Sequence, residues 1–388
     1  MIVRSQTLGL VDTAKAQELR INPRAALSEE VEAEEVFSAV SYIPLETTKR
    51  SLFGKIDQLE ITDNYFIILD NSVSIVNFKV RSSILIFKKN GDFHARIDGD
   101  RFGFFSIYPQ SKEIVIQDKY QEFLFYYTLE GKLLRKIRQP FSFSSFVYTP
   151  DNQIAYFRNF YFNKENEPLL KTSLLQSHNV LLCKPDFDFY KVFLPFDTVP
   201  MKYTESQSGL KYFTRSGSET YFHLPYQYEF FSLDNEQLTK RYRLILPSEN
   251  SLPPNFMTQL FKGKRWAHIQ SFPNQVFSIS GFYKTGKNLA FYFSTQKKRD
   301  SFFYNVEKNV LTSLSAIKTN PISLIVPFKN KIIASDGELM YTWMNAGAFF
   351  SDKRNLHNLY NGSSQVLREF LSRGNLGSNP ILISLKVI

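Results

Sequence analysis

Apolar and polar positions along this chain recur in a fixed order. A short apolar run ends in a polar residue, a loop follows, and an aromatic-rich pair of segments closes on a polar-Gly turn. The clearest copy is 65–98, where the run 65–69 ends at Asp70, 84–88 follows, and Asn90-Gly91 leads into 93–97. Short apolar runs bounded by turn residues predict strands. Asn-Gly predicts a two-residue hairpin turn with positive φ at both central positions.

The same order returns along the chain. In 113–138 the first run ends at Asp118 and the turn is Glu130-Gly131. A weaker copy pairs 153–159 with 179–194, with Pro185-Asp186 near its turn. A fourth runs through 220–225 and 228–246, turning at Asp234-Asn235. A fifth pairs 288–295 with 301–314, turning at Lys308-Asn309. The sixth begins at 331–336, ending in Asp336, and takes the terminal 379–388 as its outer partner, with 40–46 expected to close the ring. Repeated antiparallel units that cannot bury both faces alone predict a propeller. The expected fold is all-β: a six-bladed β-propeller of four-stranded antiparallel blades over 40–388, after an N-terminal extension, 1–39.

Two segments interrupt the pattern. Residues 27–38 carry five Glu and read as a short surface helix or a loop. An insertion is expected over 337–380. Within it, 363–373 has apolar residues at helical spacing, with Ser364 as N-cap and Gly374 beyond the end.

Composition sharpens this picture. The 388 residues include 38 Phe and 21 Tyr, a bias that suits pleated, half-buried surfaces. The formal net charge is +10, but the cations are scattered, with the densest runs at 262–265 and 297–299. No helix-turn-helix, zinc-finger or RNP-like pattern accompanies them, so nucleic acid is disfavoured as a partner. The one cysteine, Cys183, lies in an apolar run and reads as a small buried hydrophobe. No apolar stretch is long enough for a membrane span.

The opening segment 40–70 (VSYIPLETTKRSLFGKIDQLEITDNYFIILD) resembles that of the six-bladed β-propeller proteins common in Bacteroides and relatives. The likeness continues through 87–106, 224–247 and the closing NPILISLKVI, and the repeated units are similar to NHL-type blades. In the loop 99–105 the family's Pro and Glu are missing. The resemblance implies a periplasmic or cell-surface, often lipoprotein-like, protein whose molecular function the family does not assign.

Candidate chemistry is sparse. Asp70, Asp118 and Asp336 recur at the ends of apolar runs and would make a carboxylate cluster if those ends converge. A divalent cation there is the one cofactor the sequence admits, since hard cations take several oxygen ligands. The plainer reading is that each Asp turns the chain by accepting backbone N–H bonds. His223 ends a predicted inner strand and is the one histidine expected to face the axis. Lactonase-like six-bladed propellers use a Glu, two polar amides or carboxylates and an Asp around one metal; Glu46, Asp70 and Asp118 could be fitted to that role, but no local motif supports it. Phe102, Phe104, Phe105, Trp266 and Trp343 are candidate stacking platforms, with core packing as the simpler role. No catalytic constellation or phosphate loop is present. The expectation is therefore a monomeric, exported, non-enzymatic binding or scaffolding protein, taking an envelope glycan, peptide or protein at one mouth of the ring. The alternative is a metal-dependent hydrolase or lyase at that mouth.

Overall fold

The computed structural model describes residues 5–73, 80–100, 102–118, 123–139, 141–160, 177–185, 189–197, 211–318, 331–351 and 365–388. The chain is all-β and propeller-like, with few helices. Three sheets are separate four-stranded antiparallel units. The first is Gln58–Ile61, Tyr65–Val73, Val80–Lys88 and Phe93–Gly99. The second is Phe102–Tyr108, Glu113–Asp118, Phe123–Tyr127 and Leu133–Arg138. The third such unit is Ser278–Thr285, Asn288–Ser294, Arg299–Asn305 and Val310–Ser313.

The remaining strands depart from six separate sheets. Ser145–Tyr148, Ile154–Phe157, His178–Cys183 and Phe189–Pro195 gain a fifth strand, Ser5–Leu8, which runs parallel to Phe189–Pro195. A ten-stranded sheet joins the group Phe213–Ser216 to Ile245 with the group Ala334–Ser335, Met340–Met344, Ile381–Val387 and Phe37–Pro44. One parallel pairing, Ser216 with Ser335, makes the join. The strand between these two groups in sequence, Ser278–Thr285, carries a bulge between Ser280 and Tyr283. Beyond the pairing two glycines touch: a Cβ on Gly217 would meet Asp336 O at 3.0 Å and Gly337 Cα at 3.3 Å.

The core explains why the apolar runs are continuous. Ile67, Ile68, Ile84, Leu85, Ile86 and Phe87 are all fully buried, because both faces of each sheet are covered. Every large apolar cluster lies between two successive strand groups. Ile67, Leu69 and Ile84 meet Phe105 and Ile114; Val115 and Leu124 meet Tyr148 and Leu181. Phe157 and Val180 meet Phe213 and Phe222; Tyr221 and Phe230 meet Phe282 and Phe291. Ala290 and Phe303 meet Met340 and Ile383, and Tyr341 and Leu382 meet Leu59 and Phe66 of the first sheet. The innermost strands likewise touch in cyclic order, the last against the first. Each fully buried Phe or Ile contributes about 1.5–3 kcal/mol relative to exposure.

The N-terminal segment is part of this architecture. After Ser5–Leu8, the strands Val11–Asp12 and Gln17–Arg20 both run parallel to Gln237–Ile245. Helix Pro23–Ser28, capped by the Asn22 side chain, packs next to Val310–Ser313. Val31–Glu32 pairs with Ile317–Lys318. The Glu-rich stretch thus holds a short strand and one helical turn, Ala33–Val36. Phe37–Pro44 then pairs antiparallel with Ile381–Val387, completing the last group with a strand from early in the chain.

Several sequence expectations need correction. Runs such as Tyr65–Val73 are second strands; the polar-laced innermost strands precede them. Ala334–Ser335, by contrast, is an innermost strand, so Asp336 is not equivalent to Asp70. The segment expected as an insertion from 337 contains strand Met340–Met344 before helices Ala346–Ser351 and Gln365–Arg373. Ser364 and Asp186 lie outside the described residues. At Asn90-Gly91 only Gly91 has positive φ, and Lys88 N donates to Asp92 O, so the loop has three residues, not two. Positive φ at two central positions occurs instead at Asn235 and Glu236.

Candidate functional site

The turns between first and second strands gather at one mouth of the ring, around a cavity of about 600 Å³. Thr62, Asp63 and Asn64 come from the first group, Pro109 and Lys112 from the second, Gly217 from the fourth and Asp336 and Glu338 from the last. Strand-end turns carry the polar groups because the strands themselves are committed to packing between sheets. The lining holds four acids (Glu60, Asp63, Asp336, Glu338) and four bases (Lys89, Lys112, Lys211, Arg215), so it is balanced although the chain is strongly basic.

An ion pair crosses this cavity. Glu60 lies on the innermost strand of the first group, and Lys211 just precedes that of the fourth, three steps round the ring. Lys211 Nζ is 2.5 Å from Glu60 Oε1. Gln58 Nε2 also donates to Glu60 Oε1, at 3.0 Å, and to Phe105 O, at 2.7 Å, while Gln58 Oε1 accepts from Phe105 N. That network ties the first strand to its neighbour and holds the carboxylate toward the axis. Tyr283, buried beside it, donates its hydroxyl to Ile333 O at 2.5 Å. Burial first, and the Glu60 charge second, push the Tyr283 phenol well above its usual range, so it acts as a fixed donor.

At the rim, Lys89 projects from the three-residue hairpin loop. Its ammonium sits 4.7 Å from the centre of the buried Phe66 ring and 5.9 Å from that of Tyr341. Burial holds its pKa below the ordinary lysine range, against the opposing pull of Asp336 and Asp63. Asp336 is committed to its own turn. Its Oδ1 accepts from Leu339 N at 2.8 Å and Glu338 N at 3.1 Å, and its Oδ2 accepts the Tyr341 hydroxyl at 2.7 Å. The Asp at this position is thus a turn former whose residual charge faces Lys89.

The other sequence-singled residues do not join this site. Asp70 lies within a second strand, Tyr65–Val73, and Asp118 ends another, both at the edge where the innermost strands begin, whereas Asp336 is in a turn at the opposite edge. The proposed carboxylate cluster therefore does not form. Glu46 does not complete a metal site with them: its Oε2 accepts from Phe93 N at 2.7 Å. Among the described residues no three His, Cys, Asp or Glu side chains are grouped to hold a metal ion. His223 is 2% exposed, between the Tyr212 and Phe230 rings. Burial lowers its pKa to about 4, so it is a neutral core histidine and does not face a solvent-filled axis. Phe102 and Phe105 are core residues and Phe104 is half-buried. Trp343 is half-buried against the core between the last and first groups. Trp266 is 42% exposed, but on helix Arg265–Ser271 and edge-on to Phe277, not at the axial cavity. Sequence reasoning missed Glu60, Lys89 and Lys211. Of these, only Lys89 carried a signal, its place in an Asn-Gly loop.

No helix among the described residues is long and apolar enough to cross a membrane. No curated protein matches the chain by sequence. Among solved structures, a Bacteroides fragilis protein described as exported aligns with a TM-score of 0.66 at 13% identity, covering 96% of this chain and all (100%) of its own. A member of the duf4221 family from Bacteroides vulgatus aligns at TM-score 0.49 and 11% identity, covering 91% of this chain and 98% of its own. A Staphylococcus aureus virginiamycin B lyase aligns at TM-score 0.38 and 12% identity, over 78% of this chain and 95% of its own. The first of these likenesses shows a shared fold. The family described as domain of unknown function DUF4934 matches residues 18–386, and this chain belongs to it.

Proposed function

We propose that this protein is an exported, non-enzymatic binding propeller of six blades, whose ligand seats in the axial mouth lined by Lys89, Asp63, Arg215 and Glu338. The blade count rests on the six interfaces between successive strand groups, with the ten-stranded sheet taken as two blades joined at Ser216 and Ser335. Export rests on the fold shared with the B. fragilis protein.

The observation that carries the binding reading is the mouth itself. A cavity of about 600 Å³ is of small-ligand size, and its polar groups converge from several strand groups. Its balanced charge favours a ligand bearing both signs, a glycan or peptide unit with an amine and a carboxylate, over a polyanion. The alternative of a metal-dependent hydrolase or lyase needs at least three ligating side chains, and the described residues offer no such group.

Calorimetric titration with short peptides bearing free termini, amino sugars and uronic-acid oligosaccharides tests the reading. Zwitterionic ligands are expected to bind, and Lys89→Met to weaken binding at least tenfold without lowering the melting temperature. Its ammonium is already disfavoured by burial, so removing it costs the fold little. Binding that Lys89→Met leaves unchanged would sink the assignment of the mouth. Metal-dependent turnover would replace it with the enzymatic reading.

A further inference from the structure

Each strand group ends in an outer edge with a row of unpaired backbone N–H and C=O groups, a liability that proteins cover or blunt. Here the chain covers nearly all of them with its own segments. On the first sheet, Phe93 N donates to the Glu46 carboxylate, and Arg96 donates to the carbonyls of Arg50 and Leu52. Ser5–Leu8 adds to the outer strand of the third group. Val11–Asp12 and Gln17–Arg20 add to that of the fourth. Helix Pro23–Ser28 packs beside the fifth, and helix Gln365–Arg373 packs on Phe37–Pro44 of the last.

The second sheet is the exception. Among the described residues, nothing pairs with the outer edge of Leu133–Arg138. That strand is exposed along nearly its whole length, including Leu133 at 49% and Leu134 at 43%. Lys132, Arg135, Lys136 and Arg138 make it basic, with no acid between 132 and 138. Arg135 is held by Glu113 and lies over the Tyr126 ring, and Lys136 lies over Phe123. Lys132 and Arg138 are exposed beside them.

We infer that the outer edge of Leu133–Arg138 is a strand-addition site for an acidic, extended segment of a partner protein. The molecule itself supplies the template. On the fourth group, Gln17–Arg20 adds in parallel to a basic outer strand, with Glu18 in register with Arg243 and 3.8 Å from it. Backbone hydrogen bonds give such an addition its affinity, and cross-strand charge pairs select the sequence. The exposed leucines would pack against aliphatic residues alternating with the acids. This surface is independent of the axial mouth, so either reading can fail without the other.

The test uses the whole folded protein and two capped ten-residue peptides, one alternating Glu with Val and the other Lys with Val. The Glu peptide is expected to bind, to slow amide hydrogen exchange within 133–138, and to bind about tenfold more weakly to the K132E/R138E variant, which loses no contact described above. The Lys peptide is expected not to bind. Absence of Glu-peptide binding, equal binding of both peptides, or protection away from 133–138 would overturn the proposal and leave the lysines as guards against edge-to-edge association. Concentration-dependent dimerisation abolished by K132E/R138E would also overturn it, since the occupant would then be a second copy of this chain.

Discussion

At the residue scale, burial decides what a titratable side chain does. His223 looked like the axial histidine because it ends a strand, yet its ring lies between Tyr212 and Phe230, and its Nε2 has no hydrogen-bond partner among the described residues. Its folded pKa, about 4, is below the ordinary 6.5. The histidine therefore contributes stability above pH 6.5, where both states hold it neutral. That contribution falls as pH drops toward 4, because the unfolded chain takes up the proton first. The loss amounts to roughly 3 kcal/mol by pH 4. His223→Phe keeps the ring and removes the proton site. Denaturant titrations are expected to show the variant at least as stable as the parent at pH 7, and with a flatter stability curve between pH 6.5 and 4. Parallel curves would mean that His223 is protonated in the fold.

At the scale of elements, residues 5–44 act as a strap. They lay strands and a helix along the outer edges of three successive groups before completing the last one. Their sequence is polar and weakly patterned, since one side of an added edge strand faces solvent. The anchors are few. Leu19 is fully buried among Tyr221, Phe230 and Leu244, whereas Leu10 is 86% exposed. Leu19→Ala is expected to cost about 3 kcal/mol, within the range for buried large-to-small changes, and Leu10→Ala under about 0.5 kcal/mol. Urea denaturation measures both. Equal small effects would show that the strap is not coupled to the core.

Over the whole molecule, the Glu60–Lys211 pair links positions 151 residues apart in sequence across the ring. Glu60 is nearly buried, with its side chain 9% exposed, and Lys211 keeps 23%. Removing one partner strands a charge. Lys211→Met is expected to destabilise by about 2–3 kcal/mol, at or just below the lower bound for breaking a fully buried pair because of that residual exposure. The double variant with Glu60→Gln is expected to recover most of it, so a double-mutant cycle reads the coupling directly. Purely additive losses would show that the pair does not bind the ring together.

The repeating apolar runs, their spacing and their turn residues were enough to determine an all-β, propeller-like chain in which 40–46 pairs with the C-terminal strand, because strand burial is written in local hydrophobicity. Asn90-Gly91, Glu130-Gly131 and the apolar 65–69 and 113–118 were legible for that reason. The innermost strands were not, since short runs such as Gln58–Ile61 and Phe213–Ser216 interleave polar residues with apolar ones. Which polar residues meet was likewise a tertiary matter. Asp70 and Asp336 share a local pattern but lie at opposite edges, one within a second strand and the other following a first. Glu60 and Lys211, with no pattern in common, form the pair in the cavity. Local sequence sets whether a segment is buried. Only the closing of the ring decides which charges must find each other there.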